Sequence, residues 1–251
     1  MPLDLQQAFA NDSARFIVGT GLLINDDSQI LTAAHVARAA QDIAQKLTNA
    51  GIPFSFEVAF VQNNIYTSNG DQTRMGTLLT GARIVYIDYQ SDLAVLQLQL
   101  NPETMGSRVN GKSDFTAPKP LKFSIDRPRD GDDVFACGFP FGSVDLVSTT
   151  GHMASAEAFE PLVISQNNGF PGRVDVFKVD LRISPGNSGG PLFRESDNAV
   201  MGIVVEATSG GGYAIAVPAE AITKSLTAHG IKWNAAAKAT SPSTSHKTPP
   251  R

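Results

Sequence analysis

The segment of this chain best suited to chemistry is residues 183–192, which read ISPGNSGGPL. A serine hydroxyl is a poor nucleophile until a base removes its proton and N–H donors stabilise the oxyanion that forms. The glycines around Ser188 let the backbone turn sharply, so that the N–H groups of Gly186 and Ser188 can point to one place. Losing one such donor costs about 2.7–4 kcal/mol of transition-state stabilisation. The segment predicts a nucleophile at Ser188 and an oxyanion site at Gly186 and Ser188.

A base for Ser188 has to come from the histidines, which are His35, His152, His229 and His246. His35 follows the residues LTAA at the end of an apolar run, where the backbone can anchor an imidazole rigidly within reach of a serine. His152 is interpreted as a surface or strand residue, His229 as the end of a helix where a cation suits the dipole, and His246 as part of a tail. The base is therefore predicted to be His35.

The residue that orients the base should be a partly buried carboxylate. Asp92 stands at the start of the strongly apolar run LAVL, where a carboxylate is costly unless it is paired, and His35 is the obvious partner. Asp88 is the competing candidate, but its surroundings, IDYQ, are more typical of a turn. The sequence favours Asp92.

The order of these residues separates two classes of hydrolase. Residues around Ser188 also fit the G-x-S-x-G pattern of α/β-hydrolases, whose triads follow the order serine, acid, histidine. After Ser188 only His229 or His246 could be the base, and the remaining chain is too short for the missing half of that fold. The order His35, Asp92, Ser188 is instead that of chymotrypsin-like double barrels.

Short apolar runs bounded by turn residues make up most of the chain and predict β-strands. Two helices are expected, one where Val36, Ala39, Ile43 and Leu47 recur at helical spacing before Gly51, and one from Pro218 to a cap at Gly230. A further short helix is expected over residues 3–11. A polar stretch near residues 101–120 is interpreted as the connection between two halves. The expected divisions are an N-terminal extension, two barrels and a disordered tail or linker, at residues 1–15, 16–115, 116–233 and 234–251.

The composition and charge of the chain limit the classes of binding partner that are expected. The net charge is −4, and 42% of the residues are hydrophobic, which is typical of a globular protein. No basic stripe with interleaved aromatics is present, so nucleic acid is not an expected partner, and no apolar stretch is long enough to span a membrane. The single cysteine, Cys137, excludes an internal disulfide framework and is interpreted as a small core residue. Together with the lack of a signal-peptide pattern it favours the cytoplasm, or the periplasm or exterior if a leader was removed.

Several segments resemble, in order, those of trypsin-like serine peptidases, most closely the HtrA or Do-like branch. They are GTGLLINDDSQILTAAHV, SDLAVLQL, ACGFPFG, TTGHMASAE, ISPGNSGGPLF and GYAIAVPAEAI. The resemblance covers about residues 16–230. It implies an all-β fold of two perpendicular six-stranded antiparallel barrels with a C-terminal helix, and cleavage of polypeptides in the cleft between the barrels, without a metal or cofactor. It also suggests a homotrimer.

The chain departs from relatives of this kind at several places. Asn187 occupies the position where secreted trypsins carry an activating aspartate, which implies control by loop order rather than by zymogen cleavage. HtrA proteins usually carry a PDZ domain after the protease, and no such domain is recognised here. The segment from about residue 37 to 55 is longer than usual in the family and predicts an added helix.

The resemblance places substrate contacts at Arg182, Ile183, Val205, Glu206 and Ala207. Ile183 and Val205 predict a small apolar pocket. Arg182 is unusual because the family commonly has a small residue there. It either selects an acidic side chain at the cleavage site, or it points outward or pairs with a neighbour such as Glu206. The sequence leaves both possibilities open.

Two further functions compete with an endopeptidase. A closed or signal-gated cleft would make the chain a peptide-binding or chaperone-like module on the same fold. An esterase would use the same triad on small esters. The complete set of triad and oxyanion residues favours the endopeptidase, because a scaffold has no chemical need for them.

Overall fold

The computed structural model describes residues 19–52, 57–62, 76–99, 108–109, 112–113, 119–143, 145–170, 172–208 and 212–237. The helices in these ranges are α1 (Ala34–Asn49), α2 (Val163–Asn167) and α3 (Ala219–Ala228). The strands are β1 (Leu22–Leu23), β2 (Gln29–Thr32), β3 (Glu57–Gln62), β4 (Gly76–Asp88), β5 (Leu93–Gln99), β6 (Arg108–Val109), β7 (Lys112–Ser113), β8 (Lys122–Phe123), β9 (Asp133–Gly138), β10 (Val147–Glu160), β11 (Val174–Asp180), β12 (Pro191–Arg194), β13 (Val200–Ala207), β14 (Ala214–Pro218) and β15 (Asn234–Ala235).

The first sheet is antiparallel and has the strand order β1-β2-β5-β4-β3. Strand β5 lies in its centre, and Leu93, Ala94 and Val95 are fully buried because both of its faces are covered. Strands β2 and β5 are neighbours, with Thr32 opposite Ala94. This register brings the residues that follow β2 close to those that precede β5, which is where His35 and Asp92 stand.

The second sheet closes on itself. Its strands follow the order β12-β9-β10-β11-β14-β13, and an additional pairing of β12 with β13 completes a six-stranded barrel. Strands β8 and β15 extend it beyond β13 as parallel neighbours. Closure leaves these six strands without an unpaired edge, which is how barrels avoid edge-to-edge association. The predicted all-β class with a C-terminal helix is confirmed.

A continuous apolar core joins the two sheets. One cluster contains Leu31 and Leu93 from the first sheet, Phe123 and Val200 from the second, and Ile222 from α3. Each such side chain contributes about 1.5–3 kcal/mol when it is fully removed from water. Apolar packing therefore holds the two halves against each other. The loops at their junction are attached to this rigid core.

Both helices expected from periodicity are confirmed. Helix α1 ends at Asn49, Ala50 is its C-cap, and Gly51 follows with a φ of 66°. Helix α3 begins after Pro218 and ends at Ala228, with His229 as its C-cap. The helix expected over residues 3–11 lies outside the described residues, as do residues 238–251. Residues 234–235 form β15, so the sheet continues past the boundary expected at residue 233.

The described ranges also bear on membrane insertion and metal binding. None of the helices in these ranges is long and apolar enough to cross a membrane. The same ranges contain no group of three or more histidine, cysteine, aspartate or glutamate side chains that could hold a metal ion.

Candidate active site

The carboxylate of Asp92 holds His35 by two hydrogen bonds. Asp92 Oδ2 lies 2.7 Å from His35 Nδ1, and Oδ1 accepts from the His35 backbone N–H at 2.9 Å. The Asp92 carbonyl also accepts from the Ala34 N–H at 3.2 Å. Asp92 is only 2% exposed, and these donors compensate for the burial of its charge. The ring orientation of His35 is thus fixed from one side.

The backbone at Asp92 has a φ of 54°, a left-handed conformation that aspartate tolerates better than most residues. This turn places the carboxylate beneath His35 just before β5 begins. The His35 side chain keeps 34% of its surface exposed, so part of the ring remains open to solvent. The pair therefore combines a buried, hydrogen-bonded side with an accessible one.

The Ser188 loop is anchored to both sheets. Its Ser188 carbonyl accepts from the Thr20 N–H at 2.8 Å, and the Gly189 N–H donates to the Val204 carbonyl at 2.7 Å. Gly189 has a φ of 82°, and a Cβ there would collide with Thr32 Oγ1 and the Thr20 carbonyl oxygen. Only glycine permits this approach, which brings the loop against the end of β2.

A single residue, Gly19, lies between Ser188 and the segment that follows His35. A Cβ added at Gly19 would be 2.7 Å from Val36 Cγ1 and 2.9 Å from the Ser188 carbonyl oxygen, so Gly19 separates these two residues. The Ser188 hydroxyl donates to the Val205 carbonyl at 3.3 Å. No hydrogen bond within the described ranges joins it to His35. Catalytic hydrogen bonds of this kind are often absent before substrate binds, and a rotation about χ1 redirects the hydroxyl.

Two free backbone donors flank Asn187. The Asn187 N–H donates to the Ser184 carbonyl at 3.0 Å, whereas neither the Gly186 N–H nor the Ser188 N–H has an acceptor among the described residues. Gly186 has a φ of 103°. The Pro185 carbonyl is engaged by the Phe141 N–H at 2.6 Å. Unpaired N–H groups one residue apart form a site for a negatively charged oxygen.

Asn187 itself is 6% exposed, and its Oδ1 has no hydrogen-bond partner within the described ranges. An ionised carboxylate at this place would be costly, since no cation in those ranges pairs with it. The neutral amide is therefore consistent with a loop that does not depend on a buried ion pair.

A cavity of about 180 Å³ adjoins the Ser188 loop. It is lined by Leu181, Arg182, Ile183, Ser184, Ala207 and Tyr213. Arg182, Ile183 and Ala207 were expected there from the sequence. Leu181 was missed, because in the sequence it reads only as the end of a strand.

Val205 and Glu206 do not line this cavity. Val205 is 1% exposed and packs in the core, and only its carbonyl reaches the site, at the Ser188 hydroxyl. The apolar wall expected from Ile183 and Val205 is therefore formed by Ile183 with Leu181. The pairing of β13 with β14 shifts register between Val204 and Glu206, so residues 205 and 207 need not share a face as they would in a regular strand.

Glu206 is a half-buried carboxylate close to the His35–Asp92 pair. Burial raises the pKa of Glu206 above its ordinary value, and the charges of Asp92 and Glu160 act in the same direction. A hydrogen bond from the Val163 N–H, at 3.3 Å, and the charge of His35 oppose this rise in pKa. Glu206 therefore binds a proton more readily in the folded chain than in the unfolded one.

We expect Glu206→Gln to raise the melting temperature at neutral pH. Because the pKa is higher in the folded state, the folded chain gains stability from the proton at low pH and loses it as the pH rises through the folded pKa. Glutamine keeps the acceptor for Val163 without a charge. The difference in Tm between variant and wild type should grow from about pH 4 to pH 7, as measured by calorimetry.

The matched control is Glu195→Gln, which changes the same atoms at an exposed position. If both variants changed Tm by the same amount and with the same pH dependence, the burial of Glu206 would not be the cause of the change in Tm.

The remaining candidates have other surroundings. Asp88 Oδ1 accepts from the Gln90 N–H at 2.9 Å within a turn, as its sequence suggested. His152 is exposed and pairs with Asp133 at 3.1 Å. His229 ends α3, with Nδ1 2.9 Å from the Ser225 carbonyl. These residues lie in turns and surface pairs rather than beside Ser188. His246 lies outside the described residues.

Cys137 is half-buried on β9, with Sγ 3.2 Å from Ser148 Oγ. It packs against the core cluster that joins the sheets. This environment agrees with its interpretation as a small core residue.

Comparison with known proteins gives a consistent result. A family model described as "Trypsin-like peptidase domain" matches residues 19–203. "Protease Do-like 1, chloroplastic" from Arabidopsis thaliana is 30% identical over 205 residues, which cover 79% of this chain and 36% of that protein. A probable periplasmic serine endoprotease, DegP-like, from Marinomonas sp. is 27% identical and covers 86% and 36%, respectively. The chain thus spans about a third of the length of these relatives.

Solved structures show the same fold. The active form of a protease from M. tuberculosis superposes with a TM-score of 0.56 at 21% identity, over 87% of this chain and 76% of that one. The HtrA-type protease AlgW, solved with a decapeptide, gives a TM-score of 0.51 at 24% identity, over 85% and 53%. At such identities the likeness concerns the fold.

Proposed function

Because this chain belongs to the trypsin-like peptidase family, we propose that it is a serine endopeptidase in which Ser188 is the nucleophile, His35 the general base and Asp92 the group that orients the base. The observation that carries the proposal is the pair of hydrogen bonds that the Asp92 carboxylate accepts from His35, together with the N–H groups of Gly186 and Ser188, which have no acceptor among the described residues. A buried carboxylate that fixes an imidazole next to an anion site is what acyl transfer requires.

The reaction begins with rotation of the Ser188 hydroxyl from the Val205 carbonyl to the free nitrogen of His35. Ser188 Oγ attacks the carbonyl carbon of the peptide bond, and its proton passes to His35. His35 then protonates the leaving amine as the C–N bond breaks, which leaves an ester on Ser188. A water molecule attacks this ester and gives its proton to His35; the bond from the carbonyl carbon to Ser188 Oγ then breaks, His35 returns the proton to Oγ, and the new carboxyl terminus leaves.

Asp92 keeps the Nδ1 proton of His35 in place throughout, so that the other nitrogen can accept. The Gly186 and Ser188 N–H groups bind the carbonyl oxygen as it becomes negative. Because neither donor has an acceptor among the described residues, no hydrogen bond within those ranges has to break when the oxyanion forms.

We expect Gly186→Ala to lower kcat by about 10²–10³ with a much smaller change in KM. A Cβ at this position would collide with the Phe139 carbonyl oxygen, which is rigid backbone, and the φ of 103° is strained for alanine. The peptide must shift, and the Gly186 N–H leaves the oxyanion site. Steady-state kinetics on a peptide substrate would measure the effect.

Gly169→Ala is the control for this prediction. Gly169 also has a positive φ, 83°, but a Cβ there meets nothing within 4 Å. This variant should lose about 1–2 kcal/mol of stability from backbone strain and keep its kcat. Equal losses of kcat in the two variants would mean that strain, rather than the lost donor, explains the effect.

The proposed activity can be tested with a fluorophosphonate probe and with unfolded casein. A serine endopeptidase should gain one covalent adduct at Ser188, seen by intact mass, and should release internal casein fragments. Hydrolysis of small esters without casein fragments would indicate an esterase. No adduct and no cleavage under any condition would refute the proposal.

The substrate is proposed to be a polypeptide, as for the endoproteases named among the relatives. The name of the Marinomonas relative places that protein in the periplasm, and this supports a periplasmic location for the present chain over the cytoplasmic one expected from its sequence. A homotrimer remains a prediction that sedimentation can test.

A further inference from the structure

We propose that the cavity beside Ser188 binds an acidic side chain, so that the enzyme cleaves after glutamate or aspartate, and that Arg182 makes this selection. The inference rests on the proposed peptidase function and specifies its substrate class. It chooses between the two roles of Arg182 that the sequence left open.

The position of the cavity couples it to the reacting serine. One wall, residues 181–184, leads directly into the Ser188 loop, and the Ser184 carbonyl accepts from the Asn187 N–H at 3.0 Å. The other wall comes from Ala207 on β13 and Tyr213 just before β14. Strand β13 also supplies the Val205 carbonyl that contacts the Ser188 hydroxyl. A substrate side chain in this cavity therefore belongs to a residue next to the attacked carbonyl.

Charge decides which side chain fits. Among the six lining residues Arg182 is the only ionisable group with a charge at neutral pH, and no acid lines the cavity. Arg182 is exposed to solvent while it lines the cavity, and its guanidinium has no hydrogen bond or ion pair with any described residue. An arginine with unused donors at a pocket wall binds a carboxylate well, because its planar fork can donate two parallel hydrogen bonds.

The alternative partner for Arg182 is occupied elsewhere. Glu206 Oε2 accepts from the Val163 N–H at 3.3 Å, and its side chain does not line the cavity. The pairing of Arg182 with Glu206 that the sequence allowed is absent from the described ion pairs. A substrate carboxylate would thus meet a cation that no residue of the described ranges neutralises.

The test uses two quenched-fluorescence peptides that differ only in the residue before the cleaved bond, glutamate in one and its uncharged isostere glutamine in the other. For the wild type we expect kcat/KM to be about 10- to 100-fold higher with glutamate. Arg182→Gln should reduce this ratio to about one. Arg182→Glu should bring the ratio below one, and a third peptide with lysine at that position should then be cleaved faster than the glutamate peptide. Raising the ionic strength should shrink the wild-type ratio, since the contact is partly exposed to solvent.

Arg173→Gln is the matched control, because Arg173 is an exposed arginine before β11 and remote in sequence from the cavity wall. It should keep the wild-type ratio. The rate of fluorophosphonate labelling reports folding and assembly of the site in every variant, independently of peptide choice.

The outcomes separate this inference from the proposed function. Labelling and cleavage without a preference for glutamate in the wild type would overturn the role of Arg182 and leave the peptidase intact. A glutamate preference that survives in a labelled Arg182→Gln variant would also overturn it. Absence of both labelling and cleavage in the wild type would refute the peptidase function, and the inference with it.

Discussion

Ser188→Ala is expected to lower kcat/KM for a peptide substrate by about six orders of magnitude, because the covalent route requires this hydroxyl and the triad acts as a unit. What remains should be the modest acceleration from substrate binding and the oxyanion donors. The folded state should be almost unaffected, since the hydroxyl makes a single 3.3 Å hydrogen bond to the Val205 carbonyl. Progress curves at high enzyme concentration and a thermal melt would measure the two quantities.

Ser196→Ala, at an exposed serine in the turn after β12, is the control and should keep full activity. A preparation of Ser188→Ala that retained more than about a hundredth of the wild-type kcat/KM, free of wild-type contamination, would assign the nucleophile to another residue.

Asp92→Asn is expected to lower kcat by about ten-thousand-fold with little loss of stability. The reason lies in the two hydrogen bonds that the Asp92 carboxylate accepts from His35. The backbone N–H of His35 can only donate, so it will hold the amide oxygen of asparagine, and the amide NH₂ then faces His35 Nδ1. Nδ1 must accept, the proton moves to the other nitrogen, and the ring can no longer take the proton of Ser188. Asparagine also tolerates the left-handed backbone at this position.

The control for this variant is Asp88→Asn. Asp88 was the other sequence candidate, but its Oδ1 accepts from the Gln90 and Ser91 N–H groups in a turn. Its replacement should leave kcat within a small factor of the wild type. If Asp88→Asn lost activity and Asp92→Asn kept it, the assignment of the orienting group would be reversed. Steady-state kinetics of both variants at the same pH decide the question.

Most of the candidate site could be predicted because its signals are local. The glycine-rich turn at Ser188 and the helical spacing after His35 are patterns of neighbouring residues. Asp92 could be chosen over Asp88 from a few flanking side chains, since a carboxylate at the start of an apolar run needs a partner. The chain order of His35, Asp92 and Ser188 then restricted the fold class.

The lining of the cavity beside the Ser188 loop could be predicted only in part. Arg182, Ile183 and Ala207 line the cavity, whereas Val205 and Glu206 do not, and Leu181 contributes instead. The register shift in β13 between Val204 and Glu206 interrupts the regular alternation of side-chain faces that a sequence argument assumes. Register depends on partners far along the chain, which the residues themselves do not display.

The sequence by itself determined the chemical groups, their order and the local elements that carry them, because periodicity and turn chemistry act between neighbouring residues. Only the tertiary structure decided how those groups meet. The approach of Gly189 to Thr20 and Thr32, the closure of β12 on β13 and the release of the Gly186 and Ser188 N–H groups all join segments distant in sequence. Such contacts form where both partners are buried together, and burial is a property of the folded chain as a whole.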